Sequence, residues 1–78
     1  MESEAIKSLL VEQIAGADVT VKVEGSHVAL TIVSDTFDGL NTLKRQQSVY
    51  GVLSEHIASG EIHAVNMKTL TKQESLNA

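Results

Sequence analysis

Three histidines are the residues of this chain best suited to metal chemistry, because a neutral imidazole binds iron, zinc and copper. They are His27, His56 and His63, and the sequence contains no cysteine. Two histidines make only half of a four-ligand metal site, and no cysteine is available to complete it. In a [2Fe-2S] centre, however, two histidines can replace two cysteines on one iron while thiolates hold the other. The sequence therefore predicts that a thiol-bearing partner completes any metal site formed here.

A predicted β-hairpin places His27 at one edge of a sheet. Apolar and polar residues alternate before and after Gly25-Ser26, which is a two-residue turn signal. A turn there pairs Glu24 with His27, Val23 with Val28, Val21 with Leu30 and Val19 with Ile32. Apolar residues then meet apolar residues across the strands, and a slip of one residue would destroy that agreement. We therefore expect two antiparallel strands with His27 directly after the turn.

A long helix, from about Leu43 to Ala58, connects the second strand to a third predicted strand over Ile62 to Lys68. Its apolar stripe consists of Val49, Val52, Leu53 and Ile57. Such a crossover makes the two strands parallel, so that their starting ends share one edge of the sheet. If the strands are neighbours, about 4.8 Å separates them. The topology therefore predicts His27 and His63 at a common edge.

The spacing alone leaves the role of these histidines open. His27 and His63 are either metal ligands or, in the simpler interpretation, an exposed turn residue and a strand residue packed beside Val65. His56 lies inside the long helix, at the edge of its apolar stripe, and is predicted to be structural.

Composition fits one domain spanning residues 1–78. The hydrophobic fraction is 42% with one Phe, one Tyr and no Trp, which predicts an aliphatic core. The first helix carries Ile6, Leu9, Leu10 and Ile14 on one stripe, and Thr71 to Ala78 is predicted to be weakly structured or a short helix. The order helix, strand, strand, helix, strand indicates an α+β fold.

Several functional classes are disfavoured by the sequence. The formal net charge of −4 opposes nucleic-acid binding, which depends on basic residues at phosphates. No secretory signal or membrane-spanning stretch is present, so we expect a cytoplasmic protein without a membrane partner. Gly-rich phosphate loops and the HExxH pattern are missing, and no nucleophile is supported, so we expect no enzymatic activity.

Three segments resemble the BolA family. They are Phe37-Asp38-Gly39-Leu40, the helical run Leu43-Lys44-Arg45-Gln46-Gln47-Ser48-Val49-Tyr50-Gly51-Val52-Leu53, and Ile62-His63-Ala64-Val65-Asn66-Met67-Lys68. The turn before the second strand is similar to that of the short IbaG-like bacterial branch. The resemblance covers nearly the whole chain. It implies a class II KH-like fold, with a three-stranded mixed sheet packed against helices and a short C-terminal helix or tail.

The resemblance also implies a partner. BolA proteins pair with monothiol glutaredoxins around a bridging [2Fe-2S] cluster, to which the glutaredoxin cysteine and glutathione supply thiolates. His63 matches the BolA histidine on the last strand, and His27 stands in the loop that contributes a second ligand. Implied roles are cluster assembly or trafficking, or iron and stress regulation. The chain departs from the family pattern after Leu70, where a proline and a longer helix are common.

Two alternatives follow from the same resemblance. The KH-like fold suggests a nucleic-acid-binding transcriptional regulator, but the second glycine of a GXXG loop is missing after Gly39, which we predict to be a turn residue with positive φ. A metal-free adaptor would instead use the helix face from Lys44 to Tyr50. Formation of a homodimer is not determined by the sequence.

Overall fold

The computed structural model describes residues 2–77 and confirms the α+β fold. Its helices are α1 (Ser3–Gln13), α2 (Thr42–Ala58) and α3 (Lys72–Asn77), its strands are β1 (Asp18–Glu24), β2 (His27–Val33) and β3 (Ala64–Leu70), and a short 3-10 turn covers Asp35–Phe37. The strands form one sheet in the order β1-β2-β3. The first two are antiparallel, and β2 and β3 are parallel neighbours.

The hairpin between β1 and β2 has the predicted register. Glu24 pairs with His27, and the three apolar pairs behind it follow as expected. Gly25 has φ of 61°, a left-handed conformation that glycine adopts without strain and that a two-residue hairpin turn requires. The hairpin therefore fixes His27 as the first residue of β2.

The core lies between one face of the sheet and the helices α1 and α2. Val49 and Leu53 of the predicted α2 stripe are fully buried, while Val52 and Ile57 are half-buried at its margins. The buried apolar residues are Ile6, Leu10, Ile14, Val19, Val28, Leu30, Ile32, Phe37, Val49, Leu53 and Ile62. Burial of these side chains is the main stabilising term, because the chain has no cysteine with which to form a disulfide.

The third strand begins later than predicted. It covers Ala64–Leu70, whereas the sequence predicted Ile62 to Lys68. Ile62 is buried, but its N–H donates to the carbonyl of His56 at 3.2 Å and not to β2. Ile62 therefore belongs to the connection between α2 and β3, which it anchors in the core.

The segment after β3 forms the short helix α3, which has no buried residue. Thr71 and Glu74 cap it reciprocally: the Thr71 N–H donates to Glu74 Oε1 at 2.8 Å, and the Glu74 N–H donates to Thr71 Oγ1 at 3.2 Å. The Glu74 carboxylate also accepts two hydrogen bonds from Arg45, at 2.6 and 3.3 Å. One carboxylate therefore both caps α3 and attaches it to α2.

We expect acid to weaken this attachment. The hydrogen bond from Arg45, followed by that from the Thr71 backbone, holds the pKa of Glu74 below its usual value of 4.5. A carboxyl whose pKa is lower in the folded state stabilises the fold fully above its unfolded-state pKa. This contribution is lost as the pH falls through the lower folded value. Urea unfolding of Glu74→Gln should consequently show a smaller loss of stability between about pH 6 and about pH 3 than the parent.

Glu12→Gln is the matched control, because Glu12 is exposed and forms none of the side-chain hydrogen bonds or ion pairs found in residues 2–77. This variant should retain more of the parent's acid dependence than Glu74→Gln does. Equal acid dependence in the two variants would contradict the role given to Glu74.

Candidate functional site

His27 and His63 lie at the same edge of the sheet. His27 opens β2, and its partner in β3 is Ala64, so that His63 directly precedes the paired position. The His63 N–H donates to the carbonyl of Ser26 at 2.9 Å, which ties the start of β3 to the hairpin turn. The predicted common edge is confirmed, and no third strand separates the two residues. Their role as ligands stays a prediction.

Both histidines are exposed, and their surroundings at that edge differ. His27 borders a shallow depression of about 300 Å³ on the helix-free face, together with Lys22, Glu24 and Asn66. The ring of His63 lies beside Gly60, and its Nε2 is 3.7 Å from the position that a Cβ on Gly60 would occupy. A partner that contacts both rings must therefore reach the edge of the sheet at which β2 and β3 begin.

The connection between α2 and β3, which leads to His63, is held together by hydrogen bonds among its own side chains. Ser59 Oγ lies 3.0 Å from the His56 carbonyl and 3.2 Å from Glu61 Oε1. The same carboxylate oxygen is 3.4 Å from His56 Nδ1. The hydrogen bonds from His56 and then Ser59 hold the pKa of Glu61 below its usual value. His56 thus contributes to the order of this connection.

Gly60 makes the connection compact. Its φ is 85°, a conformation that L side chains rarely adopt. An alanine here would be strained by its backbone, although its Cβ would make only an ordinary contact with the imidazole at 3.7 Å. Glycine therefore allows the turn that leads to His63.

Residues 2–77 contain no group of three or more His, Cys, Asp or Glu side chains placed to hold one metal ion. What the edge offers is two accessible imidazole donors, His27 and His63. Imidazole nitrogen suits iron, and two such ligands on one iron of a cluster have chemical precedent. These two rings are therefore the candidate ligands for one side of a metal centre, whose other ligands would come from a second molecule.

Arg45, one of the basic residues of the chain, has its guanidinium engaged inside the fold. Its side chain is 12% exposed. Nε donates to the Leu40 carbonyl at 2.9 Å, Nη1 donates to the Thr69 carbonyl at 3.2 Å, and the guanidinium carbon lies 5.9 Å from the centroid of the Phe37 ring. Composition could not reveal this role, because it depends on carbonyls that come together only in the folded chain.

Two features of the nucleic-acid alternative can be compared with the structure. Gly39 has φ of 79° and is the turn residue that we predicted. The Arg45 guanidinium is hydrogen-bonded to two carbonyls and to Glu74, and its side chain is 12% exposed. Most of this one guanidinium is therefore not available for phosphate contacts. In the part of the chain that the structure describes, no helix is both long and apolar enough to cross a bilayer.

The family is settled by comparison with known sequences. A profile for the BolA-like protein family matches residues 6–74, which run from within α1 to the middle of α3. This chain belongs to the BolA family. The three segments whose residues carried the resemblance all lie inside the matched region.

BolA relatives match in both sequence and structure. The acid stress protein IbaG of Escherichia coli strain K12 is 42% identical over 74 residues, covering 95% of this chain and 88% of that protein. A BolA homologue from Coxiella burnetii superposes with a TM-score of 0.85 at 28% identity, covering 97% of each chain. The BolA domain of SufE1 from Arabidopsis thaliana superposes with a TM-score of 0.84 at 26% identity, covering 92% of this chain and 93% of that one. The BolA-like fold is thus confirmed.

Proposed function

We propose that this BolA-family chain binds a monothiol glutaredoxin and shares a bridging [2Fe-2S] cluster with it. The cluster is the cargo of the pair, for assembly, trafficking, or iron and stress regulation. The observation that carries the proposal is the placement of two exposed imidazoles, His27 and His63, at one sheet edge of a chain that has no thiol of its own. Similarity to an acid stress protein supports stress regulation among these proposed roles.

The ligand chemistry explains why two proteins are needed. Thiolates from the glutaredoxin cysteine and from glutathione would hold one side of the cluster, and imidazole nitrogen from this chain would hold the other. His63 is the main candidate, because a hydrogen-bonded connection fixes its backbone and its ring lies at the end of the sheet. His27 is the second candidate, since it opens the neighbouring strand.

Each residue near the edge has a distinct task in this proposal. His63 and His27 present nitrogen donors, whereas His56, Ser59 and Glu61 hold the connection that carries His63. Ligand binding and loop support are therefore assigned to different side chains, so that substitutions can test them separately.

The direct test is to mix the chain with a monothiol glutaredoxin that carries a [2Fe-2S] cluster and glutathione. We expect the visible absorption and circular dichroism of the cluster to change, because imidazole replaces a thiolate ligand. The change should saturate as the chain is titrated in, and glutaredoxin alone provides the reference spectrum. Spectra that stay at the reference when the chain is in excess would contradict cluster sharing.

A further inference from the structure

Strand β3 forms one edge of the sheet. Its partner on one side is β2, and within residues 2–77 no other strand pairs with it. The N–H of Ala64 donates to Ser26, and the carbonyl of Leu70 accepts from Ser34, so even-numbered positions of β3 face β2. In a parallel ladder, successive residues direct their backbone groups to opposite sides. The backbone groups of Val65, Met67 and Thr69 therefore face the free edge.

Side chains close this free edge at one end. The guanidinium of Arg45 donates to the Thr69 carbonyl at 3.2 Å. The Glu74 carboxylate accepts the next outward N–H, that of Thr71, at 2.8 Å. Both contacts lie at the C-terminal end of β3. Proteins commonly block exposed strand edges with such groups, since an open edge is a template for another strand.

The other end of the free edge stays open. Among the hydrogen bonds of the described residues, none outside the β2 ladder involves the backbone of Val65 or Met67. Lys68 is the single charged residue of β3, whereas the other edge strand, β1, carries Asp18, Lys22 and Glu24. Charged residues protect an edge strand from pairing, so β1 is better guarded than the part of β3 from Val65 to Met67, which carries no charge.

We propose that the open half of the β3 edge, from Val65 to Met67, is the docking site for an extended segment of the thiol-bearing partner, which adds to the sheet as a fourth strand. The position of the opening identifies the occupant. His63 is separated from Val65 by one residue, so a segment that pairs along this edge brings its protein to the candidate ligand. The closed half lies away from His63. This inference rests on the proposed function, because it takes the glutaredoxin as that partner.

Strand addition acts through main-chain hydrogen bonds, so it does not require the cluster. The first experiment therefore uses an apo monothiol glutaredoxin whose active-site cysteine is replaced by serine. Amide hydrogen exchange of the BolA-family chain is measured by NMR with and without it. We expect exchange of the Val65 and Met67 amides to slow about tenfold or more as they gain partners. Absence of binding, or binding without protection of these amides, would overturn the inference.

A proline substitution tests the same edge by affinity. Met67→Pro removes an N–H that faces away from β2, and edge strands tolerate proline at such positions. Binding to the apo glutaredoxin should weaken about tenfold, whereas Met67→Leu, which keeps the N–H, should bind like the parent. Circular dichroism of both variants shows whether the fold is retained. Unaltered binding by a folded Met67→Pro would overturn strand addition. If Met67→Pro does not fold, protection of the Val65 and Met67 amides in the parent chain is the test of strand addition.

The outcomes also separate this inference from the proposed function. Normal docking of Met67→Pro, with cluster sharing still dependent on His63, would overturn strand addition alone. Weak docking of Met67→Pro, with cluster spectra insensitive to His63, would support strand addition and overturn His63 ligation. Protection of Val65 and Met67 that rises with the concentration of the BolA-family chain alone would identify a second copy as the occupant, and would overturn the assignment to glutaredoxin.

Discussion

Replacing His63 by alanine is expected to remove most of the spectral change that accompanies cluster sharing with glutaredoxin. The imidazole supplies the ligand nitrogen in the proposal, and alanine supplies no donor. The His63 side chain makes none of the hydrogen bonds found in residues 2–77, and the residue is exposed. The free energy of unfolding should therefore stay within about 0.5 kcal/mol of the parent. Loss of the signal would then report ligation and not folding.

The other two histidines provide matched controls for this experiment. His56→Ala removes an imidazole that lies in α2 and contacts Glu61, so most of the spectral change should survive. His27→Ala removes the second exposed ring at the edge, so the change should be altered and not abolished. Visible circular dichroism of the three mixtures is compared at equal concentrations. A His63→Ala spectrum identical to that of the parent mixture would contradict His63 ligation.

The common edge of the two histidines could be predicted because each step depended on local signals. Alternation and a two-residue turn set the hairpin register, and a crossover helix makes the strands it connects parallel. Both steps are found in the structure. The register further places His27 opposite Ala64, one residue away from His63.

Features that depend on distant hydrogen bonds were predicted less well. Ile62 resembles a strand residue, but its N–H bonds to His56, so the third strand begins at Ala64. Arg45 resembles a surface base, but it satisfies the carbonyls of Leu40 and Thr69. Buried carbonyls require donors, and which carbonyls lack one is known only after the chain has folded. Sequence patterns therefore located the candidate site better than they located the contacts that support it.

Phe37 is the clearest case of a core residue that periodicity does not reveal. It lies in the irregular segment after β2, where no hydrophobic period is present, and the composition predicted an aliphatic core. In the structure it is 1% exposed and is the largest of the fully buried side chains. The guanidinium of Arg45 lies against its ring. This aromatic side chain thus anchors the 3-10 turn in the core. It also lies next to Arg45, the residue that attaches α3 to α2.

Phe37→Ala is expected to cost about 3 to 5 kcal/mol of unfolding free energy, because it removes a buried ring and leaves a cavity. Small domains have little stability to spare, so much of the variant should be unfolded in buffer. Phe37→Leu keeps part of the apolar volume and should cost about 1.5 kcal/mol or less. Urea unfolding followed by far-ultraviolet circular dichroism measures both. If Phe37→Ala lost no more stability than Phe37→Leu, the ring could not be the anchor that holds the segment between β2 and α2 to the core.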